Sequence, residues 1–138
     1  METSKLARLI DANLNRLREG VRVVEDICRY FYNDEANAAR LKALRHKARV
    51  QNEGALLAAR DIAGDVLKAT TQSESKRENL AQIISANMKR AQEAARVLEE
   101  ALKSFEPQNA QKFKEIRYEL YDIEATLRKT PHSPQGQK

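Results

Sequence analysis

The sequence has little of what builds β-sheets, tight turns, disulfides or membrane spans. Its 138 residues include only 4 Gly, 3 Pro, 3 Phe and 4 Tyr, and no Trp. Low turn and aromatic content disfavours strands. The single cysteine, Cys28, excludes an intrachain disulfide and is typical of a reduced compartment. No apolar run is long enough for a membrane span or a secretory signal, so we predict no membrane partner. Together with the composition and the single cysteine, this predicts an all-α, cytoplasmic protein.

The positive charge of the chain is concentrated at one end. The net charge is +5, and residues 128–138 carry three basic residues and no acidic one. The rest of the chain is nearly balanced in charge, which disfavours a basic stripe along a nucleic-acid backbone. We therefore predict no nucleic-acid partner. We also expect a helical domain over residues 1–129, followed by a disordered tail or linker stub over residues 130–138.

What the sequence does contain is an internal repeat. The stretch IDANLNRLREGVRVVED recurs 74 positions later as ISANMKRAQEAARVLEE, and NAARLKALRH recurs 72 positions later as NAQKFKEIRY. Polar residues that a solvated helix has no evident reason to keep in register match as well, including Asn13 with Asn87, Arg16 with Arg90, Glu25 with Glu99 and Arg45 with Arg117. The repeat predicts two helical hairpins, about 5–59 and 76–128, joined by loop 60–75 and packed as a four-helix bundle. A homodimer is left open.

Apolar residues at steps of three and four predict four helices. Helix 1 is expected over about 5–32 with Thr3 or Ser4 as its N-cap, and helix 2 from the N-cap Asp34 through Leu56. Helix 3 is expected to begin at a capping box of Ser75 and Glu78, and helix 4 at Pro107. Cys28 lies on the apolar stripe of helix 1, so we expect a buried and unreactive thiol there.

Polar side chains recur on the inward faces of these helices. The candidates for substrate binding are Asn13, Arg16, Arg45, Asn87, Arg90 and Arg117, and Glu124 also points inward. One interpretation is a closed network in which Arg45 or Arg117 binds Glu124. The other is a central site for an anion such as a phosphate. In loop 60–75, Arg60, Asp61 and Asp65 lie around Gly64, and they suit either a site for phosphate or Mg²⁺ or a solvated turn.

In five stretches the residues themselves, and not only their apolar spacing, resemble one family. They are DANLNRLREGVRVVEDICRYFYND, LKALRH, AARDIAGDV, ANMKRAQEAARVLEE and IRYELYDIEATL. They resemble the helical domain fused before thiamine-phosphate synthase in some bacteria, which has been proposed as an alternative hydroxymethylpyrimidine-phosphate kinase. The resemblance covers about residues 6–128. In that family the loop usually continues Asp-Val-Gly, whereas Leu67 follows Asp65-Val66 here.

The resemblance implies a role in thiamine biosynthesis, for which three hypotheses remain open. As an enzyme, the chain would phosphorylate hydroxymethylpyrimidine phosphate with ATP and Mg²⁺, using arginines as clamps and Glu124, Asp61 and Asp65 as catalytic carboxylates. The sequence contains no glycine-rich phosphate loop. As a binding module, it would hold a pyrimidine phosphate or partner the synthase barrel, without a cofactor. As a structural protein, it would use the repeat only to build the fold. No metal ligands are assigned.

Overall fold

The computed structural model describes residues 2–69 and 79–129, and these residues form helices and irregular connections without any strand. The helices are α1 (Thr3–Asp26), continued by a π-helical turn (Ile27–Phe31), α2 (Glu35–Lys47), α3 (Glu53–Ala59), α4 (Leu80–Leu102) and α5 (Pro107–Lys129). The all-α prediction is confirmed for this part of the chain. The predicted tail and the capping box of Ser75 and Glu78 lie outside the described residues. No described helix is long and apolar enough to cross a membrane.

The two long helices α1 and α4 form the centre of the fold. α1 packs most extensively against α4, while α2 packs on α1, α5 packs on α4, and α2 also touches α5. The predicted apolar stripes face this core and are fully buried at Ile10, Leu14, Leu17, Met88, Leu98 and Leu102. Each such side chain contributes about 1.5–3 kcal/mol relative to an exposed position. Burial of these stripes is therefore what orders the helices.

Gly20 marks the closest approach of α1 and α4. A Cβ atom built at this position would lie 2.8 Å from the backbone carbonyl oxygen of Asn87 and 3.5 Å from the Cβ of Ala91. A backbone atom cannot move aside as a flexible side chain can. The absence of a side chain at Gly20 therefore lets the two backbones pass.

Side chains cap the starts of three helices. The caps are Asp34 for α2, Asn52 for α3 and Asn79 for α4, each accepting a hydrogen bond from the backbone N–H three residues later. The predicted cap of α2 is therefore confirmed. The predicted cap of helix 1 at Thr3 or Ser4 is wrong, because α1 already begins at Thr3 and has no side-chain cap.

The main departure from the predicted helices is a break in helix 2, which consists of α2 and α3 with residues 48–52 between them. Contacts from elsewhere stabilise the break. The Nε of Arg18 donates to the carbonyl oxygen of Ala48 at 2.9 Å. The carboxylate of Glu106 accepts two consecutive backbone N–H groups before α3, each at 2.9 Å. These contacts replace hydrogen bonds of a continuous helix, and apolar periodicity carries no information about them.

Candidate functional site

The same ion pair occurs in both halves of the chain. Arg45 of α2 donates to the two carboxylate oxygens of Glu25 in α1, at 2.7 and 3.1 Å. Arg117 of α5 donates twice to one oxygen of Glu99 in α4, at 3.3 and 3.0 Å. The carboxylate side chains are only 2% and 10% exposed. The sequence repeat relates the two pairs, so the recurrence of the ion pair supports the interpretation of duplicated hairpins. Both arginines are therefore bound to carboxylates of the protein itself.

Glu124 is not the partner of either arginine. Its carboxylate accepts hydrogen bonds from Gln92 at 2.7 Å and from Arg128 at 3.1 Å. It also lines a pocket that contains none of the other predicted site residues. The expected pairing of Arg45 or Arg117 with Glu124 is therefore wrong, and the structure does not bring Glu124 to the other candidate catalytic carboxylates.

Asn13 and Asn87 make equivalent contacts within their own helices. The Nδ2 of Asn13 donates to the carbonyl oxygen of Leu9 at 3.0 Å, and that of Asn87 donates to the carbonyl oxygen of Ile83 at 2.9 Å. Both contacts reach back one helical turn. Neither amide lines the cleft described next. These two predicted binding residues are therefore not part of the cleft that Arg16 and Arg90 line.

Arg16 and Arg90 converge on one open cleft of about 800 Å³. It lies between α1, α4 and residues 60–69, which we call the post-α3 segment. Among the described residues, six basic and four acidic side chains line it. Four residues that the sequence analysis named as site candidates meet here, namely Arg16, Arg90, Asp61 and Asp65.

The two repeat-related arginines of the cleft have no internal counterion. Arg16 and Arg90 are exposed and make no hydrogen bond or ion pair with another described residue. Two guanidinium groups that line one cleft without a partner among the described residues can each offer a planar pair of N–H donors to an anion. The cleft therefore fits a phosphate or a carboxylate better than an uncharged ligand.

An ion pair anchors the post-α3 segment to α1. Arg60 donates from Nε and Nη2 to the two carboxylate oxygens of Asp11, at 2.9 and 2.8 Å. The hydrogen bond raises the pKa of the Arg60 guanidinium above its ordinary value. Asp11 was not predicted as a site residue, and its side chain is only 8% exposed. Asp11 is one of the positions at which the two halves of the repeat differ, since Ser85 corresponds to it in the second half. This difference was the signal in the sequence that Asp11 has a role of its own.

Asp61 and Asp65 each use one carboxylate oxygen to close a local turn. Asp61 accepts the N–H of Gly64 at 2.8 Å, and Asp65 accepts the N–H of Leu67 at 3.0 Å. Among the described residues, no three His, Cys, Asp or Glu side chains form a group able to hold a metal ion. Mg²⁺ commonly binds one or two carboxylates together with substrate phosphates. Asp61 and Asp65 fit that mode and not a site made by protein ligands alone.

Cys28 offers no nucleophile to the site. Its side chain is buried, and burial together with the nearby charge of Asp34 raises the pKa of the thiol to about 12. The thiol therefore stays protonated at neutral pH. The predicted burial is confirmed.

Comparison with known proteins gives matches that span most of the chain. The model of the ThiD2 family matches residues 8–126. The thiamine-phosphate synthase of Nostoc punctiforme is 39% identical over 121 residues, which are 87% of this chain and 34% of that protein. That of Synechococcus sp. strain CC9605 is 42% identical over 125 residues, which are 88% and 35% of the two chains. That of Thermosynechococcus vestitus is 37% identical over 131 residues, which are 94% and 37%. No solved structure matches significantly.

The matches cover most of this chain but only part of each relative. The chain spans about a third of the length of the curated relatives it matches. The family match includes both halves of the repeat and every described cleft residue except Lys5. A match of this extent confirms the resemblance carried by the five stretches of sequence, and the chain belongs to the ThiD2 family.

Proposed function

We propose that the chain serves thiamine biosynthesis as a domain that binds a phosphorylated pyrimidine and works beside a thiamine-phosphate synthase. The observation that carries this proposal is that Arg16 and Arg90 line one cleft without a counterion among the described residues. The relatives named thiamine-phosphate synthase support the pathway, since each includes a region similar to this chain.

The chemistry of the cleft suits a phosphate monoester on a flat heteroaromatic ring. Such a phosphate carries between one and two negative charges at neutral pH, and arginine binds it through paired N–H donors. The apolar side chain of Leu9 lines the same cleft. It offers an uncharged contact for a heterocycle while the arginines hold its phosphate.

Calorimetric titration with hydroxymethylpyrimidine phosphate tests the binding proposal. We expect the wild-type chain to bind it and the unphosphorylated hydroxymethylpyrimidine to bind at least tenfold more weakly. Arg16→Gln and Arg90→Gln should each weaken binding of the phosphate at least tenfold while preserving the melting temperature, because neither arginine has an internal ion pair to lose.

Arg22→Gln is the matched control, since Arg22 is an exposed α1 arginine that pairs with Asp26 and does not line the cleft. It should bind the ligand as the wild type does. The binding proposal fails if the wild type does not bind the phosphate, or if Arg22→Gln loses as much affinity as the cleft variants.

Phosphoryl transfer is the second candidate, favoured by the position of Asp61 and Asp65 in the same cleft as the two arginines. The bond between the γ-phosphorus of ATP and its bridging oxygen would break, and ADP would leave with that electron pair. An oxygen of the pyrimidine phosphate would form the new bond to phosphorus. This acceptor is already anionic, so Asp61 and Asp65 are needed to hold Mg²⁺ rather than to remove a proton.

Release of ADP in the presence of ATP, Mg²⁺ and hydroxymethylpyrimidine phosphate separates the two candidates. Turnover that falls at least a hundredfold in Asp61→Asn, with unchanged binding of the pyrimidine phosphate, supports the kinase. Tight binding without any release of ADP leaves the binding domain.

A further inference from the structure

We infer that the rim of the cleft is the surface on which a thiamine-phosphate synthase docks, through three apolar side chains of the post-α3 segment. Ile62 is 78% exposed, Val66 is 93% exposed and Leu67 is 85% exposed. The inference takes its partner from the proposed function, but it does not require that the cleft binds a pyrimidine phosphate.

The exposure of these side chains is unusual within the described part of the molecule. The next most exposed large apolar side chains there are Tyr30, at 67%, and Leu57, at 64%. Ile62, Val66 and Leu67 have no polar atom in their side chains and lie within six consecutive residues. Clustered apolar exposure of this kind marks interaction surfaces.

The segment that carries the three side chains is held in place by polar contacts. Arg60 anchors its start to Asp11, and Arg8 donates to the carbonyl oxygen of Asp61 at 3.4 Å. After these contacts, Asp61 and Asp65 each close a turn within the segment. These contacts use the polar groups of the segment and leave its apolar side chains outward, which is the arrangement expected of a surface that meets a partner.

The relatives indicate what covers this surface. In each of them, about two thirds of the polypeptide lies outside the part that resembles this chain. A domain joined to a larger one in the same polypeptide meets it at high effective concentration, and such interfaces bury about 600–1,500 Å². Six basic and four acidic side chains of the described residues line the cleft, so it carries an excess of positive charge. The expected partner surface is therefore an apolar patch with acidic residues around it.

A second copy of the chain fits this surface less well. A twofold contact places the same patch on both sides of the interface. The excess of basic over acidic side chains in one cleft would then face the same excess in the other, and like charges across an interface oppose association. The synthase is the occupant that the charge of the rim favours.

Titration of the purified full chain with a thiamine-phosphate synthase from the same organism, followed by analytical ultracentrifugation and calorimetry, tests the inference. We expect a complex of one chain per synthase subunit. Val66→Asp should weaken the complex at least tenfold, because Val66 is almost fully exposed and does not line the cleft. Tyr118→Asp on α5 is the control, because it changes an exposed large side chain outside the rim and should leave the affinity unchanged.

Two results would overturn the inference. One is the absence of a complex with the wild type, including the case in which the chain forms only homodimers that Val66→Asp dissociates. The other is an equal loss of affinity in both variants. Ligand titration of Val66→Asp keeps the two proposals apart. A variant that binds hydroxymethylpyrimidine phosphate but not the synthase supports docking, whereas a chain that binds the synthase but no pyrimidine phosphate defeats only the proposed function.

Discussion

At the residue scale, the two buried carboxylates that pair with arginine differ in how strongly they depend on it. Glu25 is 2% exposed, and Arg45 is the only cation that forms an ion pair with it among the described residues. Glu99 is 10% exposed and has a second cation, Arg96, at 3.6 Å in addition to Arg117. Loss of the arginine therefore leaves Glu25 without a counterion and leaves Glu99 with one.

This difference predicts unequal effects of the same substitution. Arg45→Met should lower the free energy of unfolding by about 3–5 kcal/mol, because it leaves a buried carboxylate unpaired. Arg117→Met should lower it by about half as much. Urea unfolding measures both, and Glu25→Gln introduced with Arg45→Met should recover part of the loss. Equal losses would show that Arg96 does not compensate for the missing Arg117. No loss in either variant would contradict the closed ion pairs and reopen these arginines as ligand-binding residues.

Glu106 gives the stability of the chain a dependence on acid pH. Burial opposes ionisation, but hydrogen bonds from two backbone N–H groups and from Asn109 outweigh it, so the pKa of this carboxyl lies below its ordinary value. A carboxyl with a lowered folded-state pKa adds stability above its unfolded pKa of about 4.3 and loses that stability as the pH falls through the folded value.

The test compares melting temperatures of the wild type and Glu106→Gln from pH 7 to pH 2.5. We expect Glu106→Gln to be less stable by about 2 kcal/mol at pH 7, since an amide cannot accept from all three donors. The two proteins should converge below about pH 4 as the wild-type carboxyl becomes protonated. A constant difference over this range would show that Glu106 acts through its shape and not through its charge.

At the scale of elements, two helical glycines have opposite roles. Gly20 faces the backbone of α4, whereas a Cβ atom added at Gly54 in α3 would meet no described atom within 4 Å. Gly20→Ala should destabilise the protein by about 1–2 kcal/mol, because overpacking between α1 and α4 exceeds the gain in helix propensity. Gly54→Ala should stabilise it by about 0.5–1 kcal/mol. Thermal melts of both variants check the pair, and stabilisation by both would show that α1 and α4 can move apart freely.

The same scale shows what periodicity can predict. Apolar residues at steps of three and four indicated α1, α4 and α5 because each of these helices buries one continuous stripe. They did not indicate the gap between α2 and α3, which is stabilised by Arg18 and by the carboxylate of Glu106 from the other half of the chain. The cap Asn52 was a visible local signal for a new helix start, but the partners that stabilise the gap are distant in sequence.

At the scale of the whole molecule, the repeat predicted part of the candidate site. It related Arg16 to Arg90, and both line the cleft together with Asp61 and Asp65. It could not identify the partners of Arg45 and Arg117, because helical spacing gives the direction of a side chain but not the residue that it meets on another helix. Those partners, and the anchoring ion pair of the post-α3 segment, depend on how the helices pack.

The contact of Glu106 with the start of α3 has a consequence for the order of folding. The carboxylate and the backbone N–H groups that it accepts are 54 and 55 residues apart in the chain. Closing a loop of this length costs conformational entropy, so we expect this contact to form after the local helices. The second half of the chain must therefore be in place before the gap between α2 and α3 acquires its hydrogen-bond partners. We therefore expect the start of α3 to be among the last parts of the protein to reach its native arrangement.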